Sequence, residues 1–146
     1  MKENLLNLLH HAYAPYSNFK VACIVKMHNN QEFIGVNVEN PSFKNGLCAE
    51  QVAIAAAIAE GYNKEDFNEM HVMGSSDEIT VPCFLCRQLL VEFFPPEAKI
   101  ICYNKDGELK EYKRSDLTPH AFEYEEVSDG KWIRKITFSC TCSTWF

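Results

Sequence analysis

Residues 47–60 read LCAEQVAIAAAIAE, an almost unbroken run of apolar side chains whose only strongly polar members are Glu50, Gln51 and Glu60. Gly61 follows at the position where helices commonly take a C′ glycine. The length and composition predict a helix. Because this helix has no continuous polar face, we expect it to be buried on nearly all sides, which requires other elements to cover it.

Segments on either side of this helix predict the covering elements. Helical spacing of apolar residues, ended by proline in each case, predicts helices over 2–13 and 82–93. Val-, Ile- and Phe-rich runs predict strands over 19–27, 32–38, 70–74, 99–103 and 108–112. The order helix, two strands, helix, strand, helix, two strands predicts an α/β fold, a three-layer α/β/α sandwich whose mixed five-stranded sheet carries helices on both faces.

The length of 146 residues is typical of a single domain. We predict one domain over 1–122. From residue 123 the composition shifts to charged residues and then to a mixed apolar end, so 123–146 is assigned as a C-terminal extension of unknown role.

The overall charge argues against several classes of partner. Fourteen basic and twenty acidic residues give a net charge of −6, without a Lys/Arg cluster to neutralise phosphates, so we expect no nucleic-acid partner and favour a small molecule. No apolar run approaches the roughly 18 residues that span a bilayer, and the first residues do not resemble a secretory signal. Seven cysteines without an export signal favour metal ligands or core residues in the cytoplasm over disulfides.

Three cysteines are candidates for one metal site. Cys48 precedes the central helix, and Cys83 and Cys86 stand three apart where the next helix is predicted to begin. Helix N-termini lower thiol pKa values, and three protein ligands leave a zinc ion with an open position for chemistry. Glu50, two residues after Cys48, is the candidate for moving protons of a zinc-activated water.

Each of these assignments has a simpler alternative. Cys48 can be a core residue beside an isolated Cys-x-x-Cys pair. A fourth cysteine from the C-terminal end, Cys140 or Cys142, can close a purely structural site. Glu50 can be a helix N-terminal carboxylate favoured by the helix dipole.

Several motifs together resemble one enzyme family. They are Cys-Ala-Glu at 48–50, Pro-Cys-x-x-Cys-Arg-Gln at 82–88, APYSNFKV at 14–21, GVNVEN at 35–40 and LTPHAF at 117–122. In this order they resemble the cytidine deaminases, specifically the small homotetrameric kind with three cysteine zinc ligands. The resemblance covers about residues 5–122.

The resemblance implies an activity and a cofactor. It implies zinc-dependent hydrolytic deamination of cytidine and 2′-deoxycytidine to uridine and 2′-deoxyuridine, with release of ammonia, in pyrimidine salvage. One zinc ion per subunit would be held by Cys48, Cys83 and Cys86. Glu50 would shuttle protons to the pyrimidine N3 and to the departing amino group.

It also implies substrate contacts. Asn37 and Glu39 would hold the ribose hydroxyls, Phe19 would stack on or flank the base, and the backbone of Ala49 would meet the base carbonyl. The alternative is that Asn37 and Glu39 are ordinary solvent-facing strand residues and Phe19 is part of the core.

Because active sites of this family are completed by neighbouring subunits, Phe43 and Phe122 are candidates for closing a pocket between subunits. The alternative for Phe43 is a place in the core.

The chain departs from the family pattern near the expected metal. Gln51 stands where Arg usually follows Cys-Ala-Glu, and Phe84-Leu85 replaces small residues between the two later cysteines. An Arg at that position would offset the negative charge of three thiolates around Zn²⁺, a task left here to Arg87. On this charge argument, Gln51→Arg should raise activity or move the pH optimum down.

Other functions are compatible with the same motifs. One alternative is a deaminase of another aminopyrimidine nucleoside, of the blasticidin type. From a different class, the chain can be a non-catalytic scaffold stabilised by zinc. A nucleic-acid-editing deaminase is disfavoured by the negative charge.

Overall fold

The computed structural model describes residues 1–122 and two short strands beyond them. Five strands form one sheet: β1 (Val21–Met27), β2 (Glu32–Val36), β3 (Phe67–Gly74), β4 (Lys99–Tyr103) and β5 (Leu109–Lys113). Their order is β2-β1-β3-β4-β5, with β3 and β4 parallel and the other neighbours antiparallel. The predicted mixed five-stranded sheet is confirmed.

Helices cover both faces of this sheet. The helix α1 (Lys2–Leu9) packs Leu5 and Leu9 against one face, beside Ile24 of β1. The helices α2 (Ala49–Ala59) and α3 (Phe84–Phe93) pack against the other face, where Val25 and Val72 lie in the same core. Because neighbouring residues of a strand point to opposite faces, the central strands β1, β3 and β4 contribute to both cores. The three-layer arrangement is therefore confirmed, with a short helix α4 (Arg114–Leu117) after β5.

Helix α2 lies unusually close to the edge strand β2. A Cβ atom added to Gly35 would stand 2.2 Å from the carbonyl oxygen of Ala49 and 2.5 Å from the backbone nitrogen of Ala53. Only glycine leaves room for this approach, which places the first turn of α2 against the sheet.

The prediction that α2 is buried on nearly all sides is wrong for the single chain. Ala53 and Ala57 are fully buried, but Ala55 and Ala59 are exposed and Ile58 is 41% exposed. One sheet covers only one face of a helix, so the opposite apolar face of α2 remains at the surface of the chain.

The first helix is shorter than predicted. Helix α1 ends at Leu9, and the next amides bond to carbonyls only three residues back. Tyr13 then pairs with Val38 in an isolated bridge, with Tyr13 N–H donating to the Asn37 carbonyl at 3.0 Å. This long-range pairing overrides the helical spacing that continues to Ala12. It also brings the segment after α1 beside the end of β2.

The described strands of the C-terminal extension are β6 (Tyr124–Glu126) and β7 (Trp132–Arg134), which pair antiparallel. Cys140 and Cys142, the alternative source of a fourth metal ligand, lie outside the described residues. Among the residues that the structure describes, no helix is long and apolar enough to cross a membrane.

Candidate active site

The three candidate cysteines lie at the beginnings of two helices. Cys48 is the N-cap of α2, with extended backbone angles of φ −77° and ψ 153°. Cys83 is the N-cap of α3, with φ −65° and ψ 166°, and Cys86 lies one turn into that helix. The prediction that Cys48 stands where the backbone changes from extended to helical is confirmed. All three cysteines therefore belong to the N-terminal ends of helices, where the helix dipole is positive.

The spacing of these thiols fits a zinc ion. The three sulfur atoms lie within 4.8 Å of one another, and Cys48 Sγ is 3.8 Å from Cys83 Sγ. Tetrahedral zinc with Zn–S bonds near 2.3 Å separates its sulfur ligands by about 3.8 Å. No fourth His, Cys, Asp or Glu of the described part of the chain joins the group. The arrangement contradicts the alternative of an isolated Cys-x-x-Cys pair.

The close packing of the thiols also affects their protonation. A hydrogen bond from Cys86 lowers the pKa of Cys48 to about 7, and the same hydrogen bond, followed by burial, raises the pKa of Cys86. The contact therefore shifts the pKa values of the two thiols in opposite directions. Metal binding requires thiolates, and the lowered pKa of Cys48 favours the thiolate form of that ligand.

Glu50 reaches the thiol cluster from the first turn of α2. It is 4% exposed, and burial raises the pKa of its carboxyl, while hydrogen bonds from its own backbone N–H and from the Cys86 thiol act in the opposite direction. The carboxyl group therefore lies beside Cys86 at the edge of the metal site. A carboxylate that only stabilised a helix N-terminus would be free to remain in solvent.

A cavity of about 640 Å³ opens directly onto these groups. Cys48, Cys83 and Glu50 are among the residues that line it, together with Leu47 and Leu85. Its volume is in the range of small-molecule sites. A larger cleft of about 1090 Å³ runs along α3 and α4, but neither the three cysteines nor Glu50 lines it. The smaller cavity is therefore the candidate active site.

Asn37 and Glu39 follow the end of β2 and also line this cavity. Asn37 Oδ1 accepts from the Val21 amide at 2.8 Å, and Asn37 Nδ2 donates to the Phe19 carbonyl at 2.9 Å. Glu39 accepts from the backbone amide of Tyr16 at 2.9 Å. Neither is an ordinary solvent-facing strand residue, because both side chains fix the loop that carries Phe19.

Ser17 is a second partner of Glu39. Its backbone amide donates to the carboxylate at 3.2 Å, and its hydroxyl donates as well. The hydroxyl contact, followed by that from the Tyr16 amide, lowers the pKa of the Glu39 carboxyl. Glu39 is therefore held as a carboxylate facing the cavity.

The aromatic candidates divide between the two concave surfaces. Phe19 and Phe43 line the 640 Å³ cavity and are 39% and 85% exposed, so the alternative that they are core residues is wrong. Phe122 lines the larger cleft, where its carbonyl oxygen accepts from Gln88 Nε2 at 2.8 Å. Ala49 is buried at the inner wall of the cavity.

Comparison with known proteins agrees with this geometry. Residues 1–103 match the family described as the cytidine and deoxycytidylate deaminase zinc-binding region. A cytidine deaminase of Mycoplasma genitalium is 38% identical over 121 residues, which cover 83% of this chain and 92% of that protein. The chain belongs to this deaminase family.

Further deaminases of the family resemble the chain in sequence or structure. The cytidine deaminase of Halalkalibacterium halodurans is 34% identical over 118 residues, covering 81% of this chain and 88% of that protein. The crystal structure of cytidine deaminase from Burkholderia pseudomallei matches with a TM-score of 0.76 at 34% identity, covering 84% of this chain and 99% of that chain. The fold, the zinc-binding character and the hydrolase class of this deaminase are thereby established.

The structure adds cavity residues of the deaminase that the sequence motifs did not single out. Tyr16 and Ser17 face Glu39, and Thr80 and Val81 line the wall before Cys83. The motif at 14–21 contains the first pair, but only the folded chain shows that they bind a carboxylate 22 or 23 residues away. Thr80 and Val81 carry no chemical signal in the sequence.

Proposed function

We propose that this protein deaminates cytidine and 2′-deoxycytidine by hydrolysis, forming uridine and 2′-deoxyuridine and releasing ammonia. The observation that carries the proposal is the buried carboxyl of Glu50 beside three clustered thiols, in the lining of a cavity large enough for a nucleoside. The names of the similar proteins supply the substrate class.

Cys48, Cys83 and Cys86 would hold one zinc ion in each subunit, and the bound ion would supply a water molecule whose pKa is lowered to about 7. Glu50 would be the proton carrier of the site. It would take one proton from the attacking water and give it to N3 of the pyrimidine, and later bring the remaining water-derived proton to the amino group, which leaves C4 as ammonia.

Groups on the outer wall position the nucleoside. The Glu39 carboxylate accepts a hydrogen bond from a ribose hydroxyl. Asn37 uses one N–H and one lone pair on the backbone and retains one of each for the sugar. Phe19 flanks the base, and the amide of Ala49, one of the unpaired donors of the first turn of α2, meets the base carbonyl.

We propose further that four subunits assemble into a homotetramer. The apolar outer face of α2 and the exposed side chains of Phe43 and Phe84 support this assembly, because such groups are commonly covered in oligomers. Phe122 does not line the cavity of its own chain. Phe122 would therefore close the pocket of a neighbouring subunit, whereas Phe43, which lines the cavity of its own chain, would lie where that subunit meets it.

The remaining assignments are proposals of the same kind. The substrate is a free nucleoside, which places the reaction in pyrimidine salvage, and the cytoplasm suits a site built from reduced thiols. No described Lys, Arg or His lines the cavity, which supports a neutral substrate and no nucleic-acid partner. The division into a domain over 1–122 and an extension over 123–146 remains a prediction.

The test compares the wild-type protein with Glu50→Gln, which keeps the shape of the side chain and removes the proton carrier. Both proteins are loaded with zinc, their metal content is measured, and the ultraviolet spectrum of cytidine is followed. We expect wild type to convert cytidine to uridine. The Glu50→Gln variant should react about 10²–10⁴-fold more slowly at equal zinc content.

Two results would contradict the proposal. A zinc-loaded wild type that leaves cytidine and 2′-deoxycytidine unchanged refutes the substrate assignment, and other aminopyrimidine nucleosides then become the candidates. A Glu50→Gln variant as fast as wild type refutes the proton-carrying role.

A further inference from the structure

Gln51 occupies the position directly after Glu50, and its side chain bonds to the backbone of a proposed metal ligand. Gln51 Oε1 accepts from the backbone N–H of Cys48 at 2.9 Å. This contact is half of a capping box, in which the third residue of the helix holds the N-cap residue. The glutamine thereby fixes the extended backbone of Cys48 at the start of α2.

Arg87 has a parallel contact at the other helix. Its Nε donates to the carbonyl oxygen of Pro82 at 2.8 Å, across the N-cap residue Cys83. The guanidinium group lies over the ring of Phe84, 4.8 Å from its centroid. The ring fixes the plane of the guanidinium by a cation–π contact, and the guanidinium fixes the peptide that leads into Cys83.

We propose that Gln51 and Arg87 are positioning residues, each of which holds the backbone of one N-cap cysteine so that its thiol meets the metal. Gln51 Oε1 and Arg87 Nε both bond to backbone atoms and not to sulfur. Their contribution is therefore geometric. This differs from the expectation that the two positions matter through the positive charge they place near the thiolates.

The two explanations order the variants of Gln51 differently. Glutamate keeps the acceptor and is favoured at this place in a capping box, leucine removes the acceptor at similar size, and arginine adds charge and removes the acceptor. If the backbone contact matters, zinc retention follows wild type ≈ Gln51→Glu > Gln51→Leu ≈ Gln51→Arg. If charge matters, Gln51→Arg holds zinc best and Gln51→Glu worst.

Arg87 and Phe84 allow the same comparison on α3. Arg87→Lys keeps the charge and loses the planar Nε donor, and Arg87→Gln loses both. Positioning predicts weaker zinc retention in both variants, and a smaller loss in Phe84→Leu, which removes the ring. Charge predicts a loss in Arg87→Gln alone.

The measurement is competition for zinc between the purified full-length protein and a chromogenic chelator. The absorption of thiolate-to-metal charge transfer is recorded in the Co²⁺-substituted protein as a second readout of ligand geometry. Supporting contacts around metal ligands are typically worth 10–100-fold in affinity. We expect at least tenfold weaker zinc retention and an altered cobalt spectrum for Gln51→Leu and Arg87→Lys.

Matched controls are Gln31→Leu, in an exposed turn, and Lys110→Gln, which removes a cation lying 5.0 Å over the ring of Tyr112. Both should bind zinc as wild type does, and circular dichroism verifies that every variant is folded. Gln51→Leu and Arg87→Lys variants that retain zinc within twofold of wild type overturn the inference.

The inference rests on the zinc site of the proposed function, and the assay separates the two. A wild-type protein that binds no zinc refutes the proposed function. A wild type that binds zinc tightly, with variants that follow the charge order, refutes only the positioning role.

Discussion

His71 is a buried titratable side chain on the sheet face that α1 covers. It is 7% exposed, its Nδ1 lies 3.0 Å from the Tyr103 hydroxyl, and its Nε2 lies 3.3 Å from Glu69 Oε1. Burial lowers the pKa of His71 from its usual value of 6.5, although the carboxylate of Glu69 acts in the opposite direction. Lys26, which pairs with Glu69, and Glu32 also act on it.

This shift predicts acid sensitivity. As the pH falls below about 6.5, the unfolded chain binds a proton at His71 before the folded chain does, so the free energy of unfolding decreases until the folded pKa is reached. Chemical unfolding between pH 7.5 and 5 should show a smaller loss of stability for His71→Gln than for wild type. His10→Gln, at an exposed histidine, should behave as wild type, and equal pH dependence of all three proteins would contradict the assignment.

At single positions, the sequence was most informative where the chemistry is local to a motif. Residue type and spacing predict a metal site at Cys48, Cys83 and Cys86 with Glu50 beside it. The structure brings these four residues together. The contact of Gln51 with a backbone amide has a weaker signal. Its spacing from Cys48 is that of a capping box, but the motif ordinarily begins with Ser or Thr.

Among the elements, the contact between α2 and β2 leaves little room for a larger side chain at Gly35. The positions of the Ala49 carbonyl and the Ala53 amide leave no space for a side chain at residue 35. Moving the helix outward is the only response, because both neighbours are backbone atoms. Such a movement carries Cys48 and Glu50 away from α3.

Gly35→Ala should therefore destabilise the fold by roughly 1–3 kcal/mol and weaken zinc binding. Urea unfolding gives the first quantity and chelator competition the second. Gly46→Ala is the matched variant, since its Cβ would meet its nearest neighbour, the Phe43 carbonyl oxygen, at 3.3 Å. We expect a clearly smaller loss of stability there, and equal losses in the two variants would contradict the crowding argument.

The order of elements followed from periodicity and composition, while several boundaries did not. The strand predicted over 32–38 ends at Val36 in the sheet, because Val38 leaves it to bridge Tyr13 and Leu47. The strand predicted over 70–74 begins earlier, at Phe67, because it pairs with Met27. Such ends depend on partners distant in sequence, which a local pattern does not contain.

For the whole molecule, the apolar surface of the single chain leads to a prediction about assembly. Phe43, Phe84 and Leu85 are 85%, 84% and 63% exposed, and the outer face of α2 is apolar. Light scattering after size-exclusion chromatography should give four times the chain mass of 16.8 kDa. A monomer at micromolar concentration would refute the tetramer, and the cavity would then have to work without a neighbour.

A sequence pattern could not replace that measurement. Exposed apolar side chains are identified only after the fold is known, and Ile58 was expected to be buried within the chain. The 640 Å³ cavity is likewise a product of the fold, because its walls come from segments between residues 16 and 85.

The thiol cluster joins two parts of the chain that are 35 residues apart, since Cys48 begins α2 and Cys83 begins α3. A zinc ion bound there acts as a reversible cross-link. In the entropy treatment used for disulfides, closing a loop of this length reduces the conformational entropy of the unfolded chain. The free energy of unfolding rises by about 4 kcal/mol as a result. The same ion would thus also tie the start of α2 to the start of α3 around β3, so that removing the metal would lower the free energy of unfolding of the folded chain.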